Sequence, residues 1–167
     1  MAIPLIPDCL IGSIYDLTPE RLQARGIRLV LADLDNTLAR YREKDPSEPL
    51  RLWKQGLEAA GIQVFIISNG RRPNRSRRFA RGLEVDYISH AGKPRAAAFR
   101  RALEQTGCPP EQALMVGDQI FTDIWGAHNG GVTAVLVRPV ALDNWFRRLR
   151  YGVETPFRAL CPHKEGF

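Results

Sequence analysis

Two aspartates, Asp33 and Asp35, directly follow the apolar run 29–32. A short, wholly apolar run is typical of a strand buried in a parallel sheet, and ligands of open α/β sheets bind at the carboxyl ends of such strands. Side chains at positions i and i+2 of an extended chain point to one face, so the two carboxylates are expected to lie together. A cation between them would relieve their repulsion. An acidic turn is the alternative, since Asp is also a common turn residue.

Three later segments also deliver polar residues at the start of a loop, each after a predicted strand. The polar residues concerned are Ser68, Asn69, Lys93, Asp118 and Asp123. Because the predicted strands alternate with helical segments, the chain is expected to form a parallel sheet with helices on both faces. All of these side chains then face one crevice at the carboxyl edge of the sheet.

This crevice would combine four carboxylates with groups that bind phosphate. Oxygen ligands without a neighbouring His or Cys favour Mg²⁺ over zinc or copper. Ser68, Lys93 and the backbone N–H groups near Asn69 are suited to phosphoryl oxygens. One carboxylate can attack phosphorus and form an aspartyl-phosphate, while another protonates the leaving oxygen and later activates water. The pattern therefore predicts a Mg²⁺-dependent phosphatase.

The same residues resemble the four ordered motifs of the haloacid dehalogenase (HAD) superfamily of phosphatases. The motifs are Asp33-Leu34-Asp35-Asn36-Thr37, Ser68-Asn69, Lys93-Pro94 and Gly117-Asp118 with Asp123. Within the superfamily, segments 13–20, 33–38 and 116–123 are similar to the YqeG-like branch of subfamily IIIA. That branch is similar to the phosphatidylglycerophosphate phosphatases of mitochondria and plastids. The resemblance covers nearly the whole chain.

The resemblance implies a role for each residue of the first motif. Asp33 would be the nucleophile and a Mg²⁺ ligand. Asp35 would be the general acid and base, with its backbone carbonyl on the metal. Thr37 would support the loop that follows the strand.

The other three motifs would bind phosphate and metal. Ser68 and the backbone at Asn69 would hold phosphoryl oxygens, and Lys93 would neutralise charge on the phosphate and the nucleophile. Asp118 would bind Mg²⁺, and Asp123 would bind it directly or through water. Relatives often have a polar residue where this chain has Gly70, so substrate contacts just after Ser68 stay open.

The order of elements predicts a three-layer Rossmann-like fold with a five-stranded, mainly parallel sheet. Segments 34–67 and 69–92 are mostly taken up by a helix and a strand each, which leaves no room for a cap domain. We expect a single phosphatase domain. Its predicted parts are an N-terminal extension with a short helix (1–28), a catalytic core (29–138) and a basic, aromatic tail (139–167).

Several local predictions concern the ends of these elements. Residues 1–17 are expected to be irregular and to pack outside the domain, before a helix capped by Thr18. Pro94 is expected to open a helix, with Lys93 at its N-terminus. In the tail, a helix is expected over 142–151 and loose order over 152–167.

Six arginines lie between residues 71 and 81, at the start of a predicted helix. They form either a solvated charged face or a patch that steers an anionic substrate, and the candidates for steering are Arg71, Arg72 and Arg75. An uncapped site suits a phosphate on a large or surface-bound molecule. With the basic, aromatic tail, this favours an anionic lipid at a membrane surface, and a nucleic-acid end is the less favoured alternative.

Composition adds limits on class and compartment. The chain has 167 residues, 44% of them hydrophobic, and a net charge of +6. Its three scattered cysteines show neither metal spacing nor a disulfide framework, and we find no signal peptide and no apolar run long enough to span a membrane. We expect a cytoplasmic protein, with peripheral attachment to the inner face of a membrane left open. The oligomeric state is not indicated.

The favoured activity is hydrolysis of phosphatidylglycerophosphate in phosphatidylglycerol synthesis. One alternative is a phosphatase for a protein, a nucleic-acid end or a soluble metabolite. Another is a non-catalytic protein that senses phosphate or assists assembly.

Overall fold

The computed structural model describes residues 4–70, 72–141 and 145–162. Its strands are β1 (Cys9–Ile11), β2 (Leu29–Ala32), β3 (Gln63–Ile67), β4 (Asp86–Ile88), β5 (Ala113–Gly117) and β6 (Thr133–Val137). Its helices are α1 (Pro19–Ala24), α2 (Glu48–Ala59), α3 (Pro73–Leu83), α4 (Ala97–Thr106), α5 (Trp125–Gly130) and α6 (Trp145–Ala159), with a π-helical turn at Ile120–Ile124.

The strands form one sheet in the order β1-β6-β5-β2-β3-β4, and every pairing is parallel. From β2 the chain builds outward through β3 to β4, then returns to β5 on the other side of β2. The order therefore reverses between β2 and β5, which is where a crevice opens in sheets of this type. The predicted Rossmann-like α/β fold is confirmed.

Strand β2 is buried on both faces, as its unbroken apolar sequence predicts. Val30 and Ala32 pack in one hydrophobic cluster with residues of α1, α2 and α3, whereas Leu29 and Leu31 pack in the other with residues of α4 and α5. Alternate side chains of one strand thus join the two outer layers to the sheet. This double burial fixes the position at which β2 ends, and hence the position of Asp33.

The sheet has six strands, so the prediction of five is wrong. The additional strand is β1, within the segment expected to be irregular, and it pairs with β6 at one edge. Asp8 extends this pairing, because its N–H donates to the Ala134 carbonyl at 2.9 Å and its Oδ2 accepts from the Ala134 N–H at 2.7 Å. Pro4 and Pro7 stand shortly before this strand, and prolines are typical of loops and of sheet edges, which explains why the sequence pattern did not reveal it.

The tail is more ordered than expected. Helix α6 runs to Ala159 and contains Pro156, so residues 152–159 are helical rather than loose. Residues 142–144 of the predicted helix and residues 163–167 lie outside the described part of the chain. Glu154 and Arg158 of α6 are buried against the domain, and these contacts stabilise a helical turn that the proline argues against.

Helix α4 begins at Ala97 rather than at Pro94, which follows a cis peptide bond after Lys93. Lys93 therefore does not stand at a helix N-terminus, and its place in the site has another cause. The predicted cap of α1 is confirmed, since Thr18 Oγ1 accepts from the Arg21 N–H at 3.4 Å. Among the described residues, no helix has the length and apolar character that crossing a bilayer requires.

Replacing Ile11 by alanine tests whether β1 belongs to the sheet. The Ile11 side chain is buried in the core, so we expect a loss of about 2–4 kcal/mol in the free energy of unfolding. Urea denaturation measures this loss. The control is Tyr15→Ala, which removes an exposed side chain from the same segment. Equal effects of the two substitutions would mean that β1 is not part of the folded core.

Candidate active site

Asp33 is the first residue after β2 and lies between the carboxyl ends of two neighbouring strands. Ala32 is paired with Val116 of β5 on one side and with Ile66 of β3 on the other. The Asp33 N–H continues the ladder and donates to the Val116 carbonyl at 3.0 Å. The chain then turns sharply at Asn36, which has a φ of 64°. Asp33 is therefore fixed by the sheet and the residues that follow it by a tight loop.

Three carboxyl groups, those of Asp33, Asp118 and Asp123, meet at this point. Each offers one oxygen, and these oxygens lie within 4.8 Å of one another. All three residues are buried, and neither Asp33 Oδ2 nor Asp118 Oδ1 has a hydrogen-bond partner among the described residues. Buried carboxylate oxygens without partners are costly, so these two atoms are suited to contact a bound cation or a bound substrate. The donor set, three oxygens, fits a hard cation such as Mg²⁺.

Asp123 comes from the π-helical turn Ile120–Ile124 and folds back over the end of β5. Its Oδ2 accepts from the Gln119 N–H at 3.1 Å. A Cβ atom at Gly117 would overlap the Asp123 carboxyl group, so only glycine allows this close approach. The glycine of the fourth motif thus makes room for the aspartate of the same motif.

Lys93 supplies the positive charge at the centre of the cluster. Its Nζ donates to Asp33 Oδ1 at 2.7 Å, to Asp123 Oδ1 at 2.6 Å and to the Ile67 carbonyl at 2.8 Å. The backbone of Lys93 is held by the Asn69 side chain, which accepts from its N–H at 2.9 Å and donates to its carbonyl at 3.0 Å. Pairing with Asn69, rather than a helix N-terminus, thus determines where Lys93 stands.

Burial and charge act together on the titration of these groups. Burial raises the pKa of Asp33 to about 7, against the opposing effect of the Lys93 ammonium and with a smaller contribution from the Asp123 carboxylate. Burial, Asp123 and Asp33 also hold the pKa of Asp118 well above its usual range. Burial alone would lower the pKa of Lys93, but the carboxylates of Asp123 and Asp33 outweigh it and raise that pKa. One ammonium does not neutralise three carboxylates, so the cluster favours a second cation.

Asp35 lies beside this cluster and pairs with an arginine. Arg75 Nη1 of α3 donates to Asp35 Oδ1 at 2.6 Å, and the same guanidinium donates to the carbonyls of Arg40 and Glu43 at 2.8 and 3.0 Å. The structure therefore places Arg75, a candidate for steering, in a largely buried ion pair, with a side chain only 9% exposed. Its three contacts join α3 to Asp35 and to the loop 39–47.

The remaining predicted residues lie around this centre. Ser68 is buried, and its Oγ accepts from the Gly70 N–H at 3.0 Å. Thr37 is also buried, with a hydroxyl that has no hydrogen-bond partner. Arg72 is exposed, with its guanidinium 5.0 Å from the centre of the Tyr41 ring. Arg71 lies outside the described residues.

Two residues of α6 that sequence reasoning missed support the loop carrying the metal-ligand candidates. Glu154 Oε1 accepts from the Ile120 N–H at 3.0 Å, and its Oε2 accepts from Arg158 Nη2 at 2.8 Å. Arg158 Nη2 also lies 3.4 Å from the Asp118 carbonyl, to which it donates. The spacing of Glu154 and Arg158, four residues apart in a helix, was the available signal for their pairing.

Fold and site together define a Rossmann-like α/β protein with a crevice of buried carboxyl groups at the point where the strand order reverses. Comparison with known proteins agrees. The HAD-hydrolase-like family model matches residues 90–139. The probable phosphatase YqeG of Bacillus subtilis (strain 168) is 33% identical over 141 residues, which cover 84% of this chain and 81% of that protein. The chain therefore belongs to the HAD superfamily of phosphatases, as its motifs predict.

Two further proteins extend the comparison. Phosphatidylglycerophosphate phosphatase 1, chloroplastic, of Chlamydomonas reinhardtii is 27% identical over 165 residues, covering 85% of this chain and 61% of that protein. The cobalt-bound deoxy-D-mannose-octulosonate 8-phosphate phosphatase of Haemophilus influenzae has a similar fold, with a TM-score of 0.55, 19% identity and 70% of each chain covered. That structure shows the fold alone.

The pKa shifts predict how metal affects stability. In the unfolded chain an aspartate has the usual pKa of 3.8, whereas in the folded protein Asp33 has a pKa of about 7. Between these two pH values the folded state therefore binds more protons than the unfolded state. Without metal, this contribution lowers the free energy of unfolding as the pH rises. Mg²⁺ competes with the protons, so the increase in Tm on adding Mg²⁺ should be larger at about pH 8 than at about pH 5. Thermal unfolding with EDTA or Mg²⁺ measures it.

Two variants serve as the test and control for this prediction. Asp118→Asn removes one charge from the cluster, so in EDTA at about pH 8 it should be more stable than the wild type by about 1 kcal/mol and gain little from Mg²⁺. Asp86→Asn removes an exposed carboxylate and should respond to Mg²⁺ like the wild type. An unchanged Mg²⁺ response in Asp118→Asn would contradict a metal site at this cluster.

Removing the Glu154 carboxylate should destabilise the protein and weaken metal binding. Glu154→Ala leaves the buried Arg158 guanidinium without its carboxylate, at a cost of about 3 kcal/mol, and loosens the loop of Asp118, which should lower Mg²⁺ affinity about tenfold. Urea denaturation and Mg²⁺ titration of Tm measure the two effects. Thr155→Ala, on the exposed side of α6, is the control. Full Mg²⁺ affinity in Glu154→Ala would show that α6 does not support the site.

Proposed function

We propose that the chain is a Mg²⁺-dependent phosphomonoesterase that acts through an aspartyl-phosphate on Asp33 and hydrolyses phosphatidylglycerophosphate. The observation that carries the chemistry is the state of the Asp33 carboxyl group. Lys93 binds its Oδ1, while its buried Oδ2 has no partner and is thus available to attack phosphorus. A buried carboxylate beside a lysine and two further carboxylates is suited to phosphoryl transfer.

The proposed reaction has two displacements at phosphorus. In the first, Asp33 Oδ2 forms a bond to phosphorus while the bond to the leaving oxygen breaks, and Asp35 donates a proton to that oxygen. In the second, Asp35 takes a proton from water, the water oxygen attacks phosphorus, and the bond to Asp33 breaks to release inorganic phosphate. In the structure, Arg75 pairs with the Asp35 carboxylate at 2.6 Å, and during the reaction it would orient that carboxyl group.

The residues present fit the cation that this family uses. Asp33, Asp118 and Asp123 would hold Mg²⁺ through side-chain oxygens, and the Asp35 carbonyl would add a backbone ligand. When bound, Mg²⁺ would neutralise charge on the carboxylates and on the phosphoryl group. Lys93 would balance charge on the opposite side of the nucleophile, and Ser68 with the backbone at Asn69 would hold phosphoryl oxygens.

Three observations support a lipid substrate at a membrane surface. Between the first three motifs the described chain consists of α2, β3, α3, β4 and short loops, which leaves the crevice open. Next to the crevice, α6 exposes Leu149 and Val153 beside the exposed Arg148, and the exposed Leu160 directly follows the helix. Apolar and basic side chains on one helix suit an anionic lipid surface. The third observation is the likeness to a chloroplastic phosphatidylglycerophosphate phosphatase.

Phosphate release from phosphatidylglycerophosphate in mixed micelles tests the proposal. Wild type should release phosphate with Mg²⁺ and not with EDTA, and Asp33→Asn should lower kcat by on the order of 10³-fold or more, since the amide is a poor nucleophile. A folded Asp33→Asn protein, checked by its cooperative thermal unfolding, is required for this comparison. The exposed Asp86→Asn is the matched control and should retain full activity.

An aryl phosphate separates the mechanism from the substrate. Mg²⁺- and Asp33-dependent hydrolysis of the aryl phosphate without release from the lipid would reject phosphatidylglycerophosphate and retain the aspartyl-phosphate mechanism. Release from either compound by Asp33→Asn at the wild-type rate would reject the mechanism itself.

A further inference from the structure

A basic groove of about 440 Å³ lies between the loop 39–47 and the start of α3. We define it by the residues Tyr41, Arg42, Lys44, Arg72, Arg75 and Arg78, all of which line it. Five of these six side chains are cationic. None of the phosphatase motifs contributes to the groove, so the proposed reaction leaves its purpose open.

Two of the five cations are neutralised by carboxylates. Arg75 pairs with Asp35, and Arg78 binds both oxygens of Asp45 at 2.8 and 2.6 Å. The other three, Arg42, Lys44 and Arg72, are exposed, and none forms an ion pair with a carboxylate within the described parts of the chain. The groove therefore carries a net positive charge.

The groove is also shaped by its aromatic residue. Tyr41 is only partly exposed, and the guanidinium groups of Arg72 and Arg75 lie 5.0 and 5.8 Å from the centre of its ring. Such a contact orients a guanidinium group by its face, and for Arg72 it leaves the N–H groups at the edge directed to an anion. Arg72 is thus positioned against the groove wall, unlike an arginine on a solvated helix face.

Arg75 connects the groove to the proposed reaction. It lines the groove and donates to Asp35 Oδ1, the carboxyl group that would protonate the leaving oxygen. Gly70 leads from the phosphate-binding Ser68 to Arg72, and a Cβ atom there would lie 3.5 Å from Asp35 Oδ2. The leaving group must lie beside Asp35, and Arg75, which contacts Asp35 and lines the groove, links that position to the groove.

We infer that the basic groove is a second anion subsite, which binds a phosphate carried by the leaving group of the substrate. This inference rests on the proposed function, because it needs Asp35 as the acid that faces the leaving group. The substrate class is a polyol with a phosphomonoester at one end and a second phosphate a few bonds away. The headgroup of phosphatidylglycerophosphate has this form, since a phosphodiester is attached to the same glycerol.

The test compares two soluble substrates that differ in the second phosphate. Glycerophosphoglycerophosphate, the deacylated headgroup, has it, and glycerol 3-phosphate lacks it. The double variant Arg42→Ala/Lys44→Ala removes two unpaired cations from the exposed rim of the groove. We expect the ratio of kcat/KM for the headgroup to kcat/KM for glycerol 3-phosphate to fall about tenfold, through KM. Arg100→Ala/Arg101→Ala removes two exposed charges from α4 and should leave the ratio unchanged.

An inhibition experiment keeps the inference testable if the headgroup is not hydrolysed. Glycerophosphoglycerol has the second phosphate and no scissile one, so it should inhibit aryl-phosphate hydrolysis competitively, and about tenfold more weakly in Arg42→Ala/Lys44→Ala. Absence of inhibition in the wild type, or equal inhibition of both proteins, would overturn the subsite while leaving the phosphatase intact. Inhibition that needs the groove, without hydrolysis of the headgroup, would instead reject the proposed substrate alone.

A third arm separates the headgroup from the membrane. If the subsite binds the phosphodiester of the headgroup, kcat/KM of the double variant should fall by the same factor for phosphatidylglycerophosphate in neutral micelles as for the deacylated compound. A loss confined to the lipid in anionic micelles, with an unchanged ratio for the soluble pair, would show that the groove contacts the membrane surface and would overturn the inference.

Discussion

The buried ammonium group of Lys93 makes the rest of the site compatible with a folded protein. It binds Asp33 and Asp123 directly, and without it three carboxylates would be buried together with no counter-charge. Burying one unpaired charge costs several kcal/mol, so such a cluster exists only because the fold places a cation inside it. The excess of carboxylate that remains is what suits the site to a divalent cation.

The scaffold brings these groups together through the order of its strands. Asp33 follows β2, and Asp118 follows β5. These two strands are neighbours because the chain adds β3 and β4 on one side of β2 and then returns to add β5 on the other side. The third carboxylate, that of Asp123, comes from the π-helical turn after β5. On the other side of β2, strand β3 is followed by Ser68 and Asn69. Each group stands on a buried strand or a turn next to one, which limits how far it can move.

The open side of the crevice is shaped by charge rather than by a covering domain. Arg75 joins Asp35, the loop 39–47 and α3 through one guanidinium, and the unpaired cations of the basic groove lie beyond it. On the other side, α6 packs under the loop of Asp118 through Glu154 and Arg158 and turns apolar residues outward. Within the described residues, the crevice is thus bordered by charged side chains on one side and by α6 on the other.

The sequence by itself determined the strands that are long enough to be apolar throughout, the order of the four motifs and the α/β class. These follow from local patterns, since buried parallel strands must be apolar and their carboxyl ends must meet at one edge. It did not determine β1, which follows Pro4 and Pro7, or the length of α6, which continues through Pro156.

Only the tertiary structure decided the partners of individual side chains. Arg75 resembles its neighbours in an arginine-rich helix, yet it binds Asp35, 40 residues away, and Asn69 holds the backbone of Lys93, 24 residues away. The Glu154 carboxylate reaches the Ile120 N–H across 34 residues. Such pairings depend on where the sheet brings distant loops together, and local sequence patterns carry no information on distances of this kind.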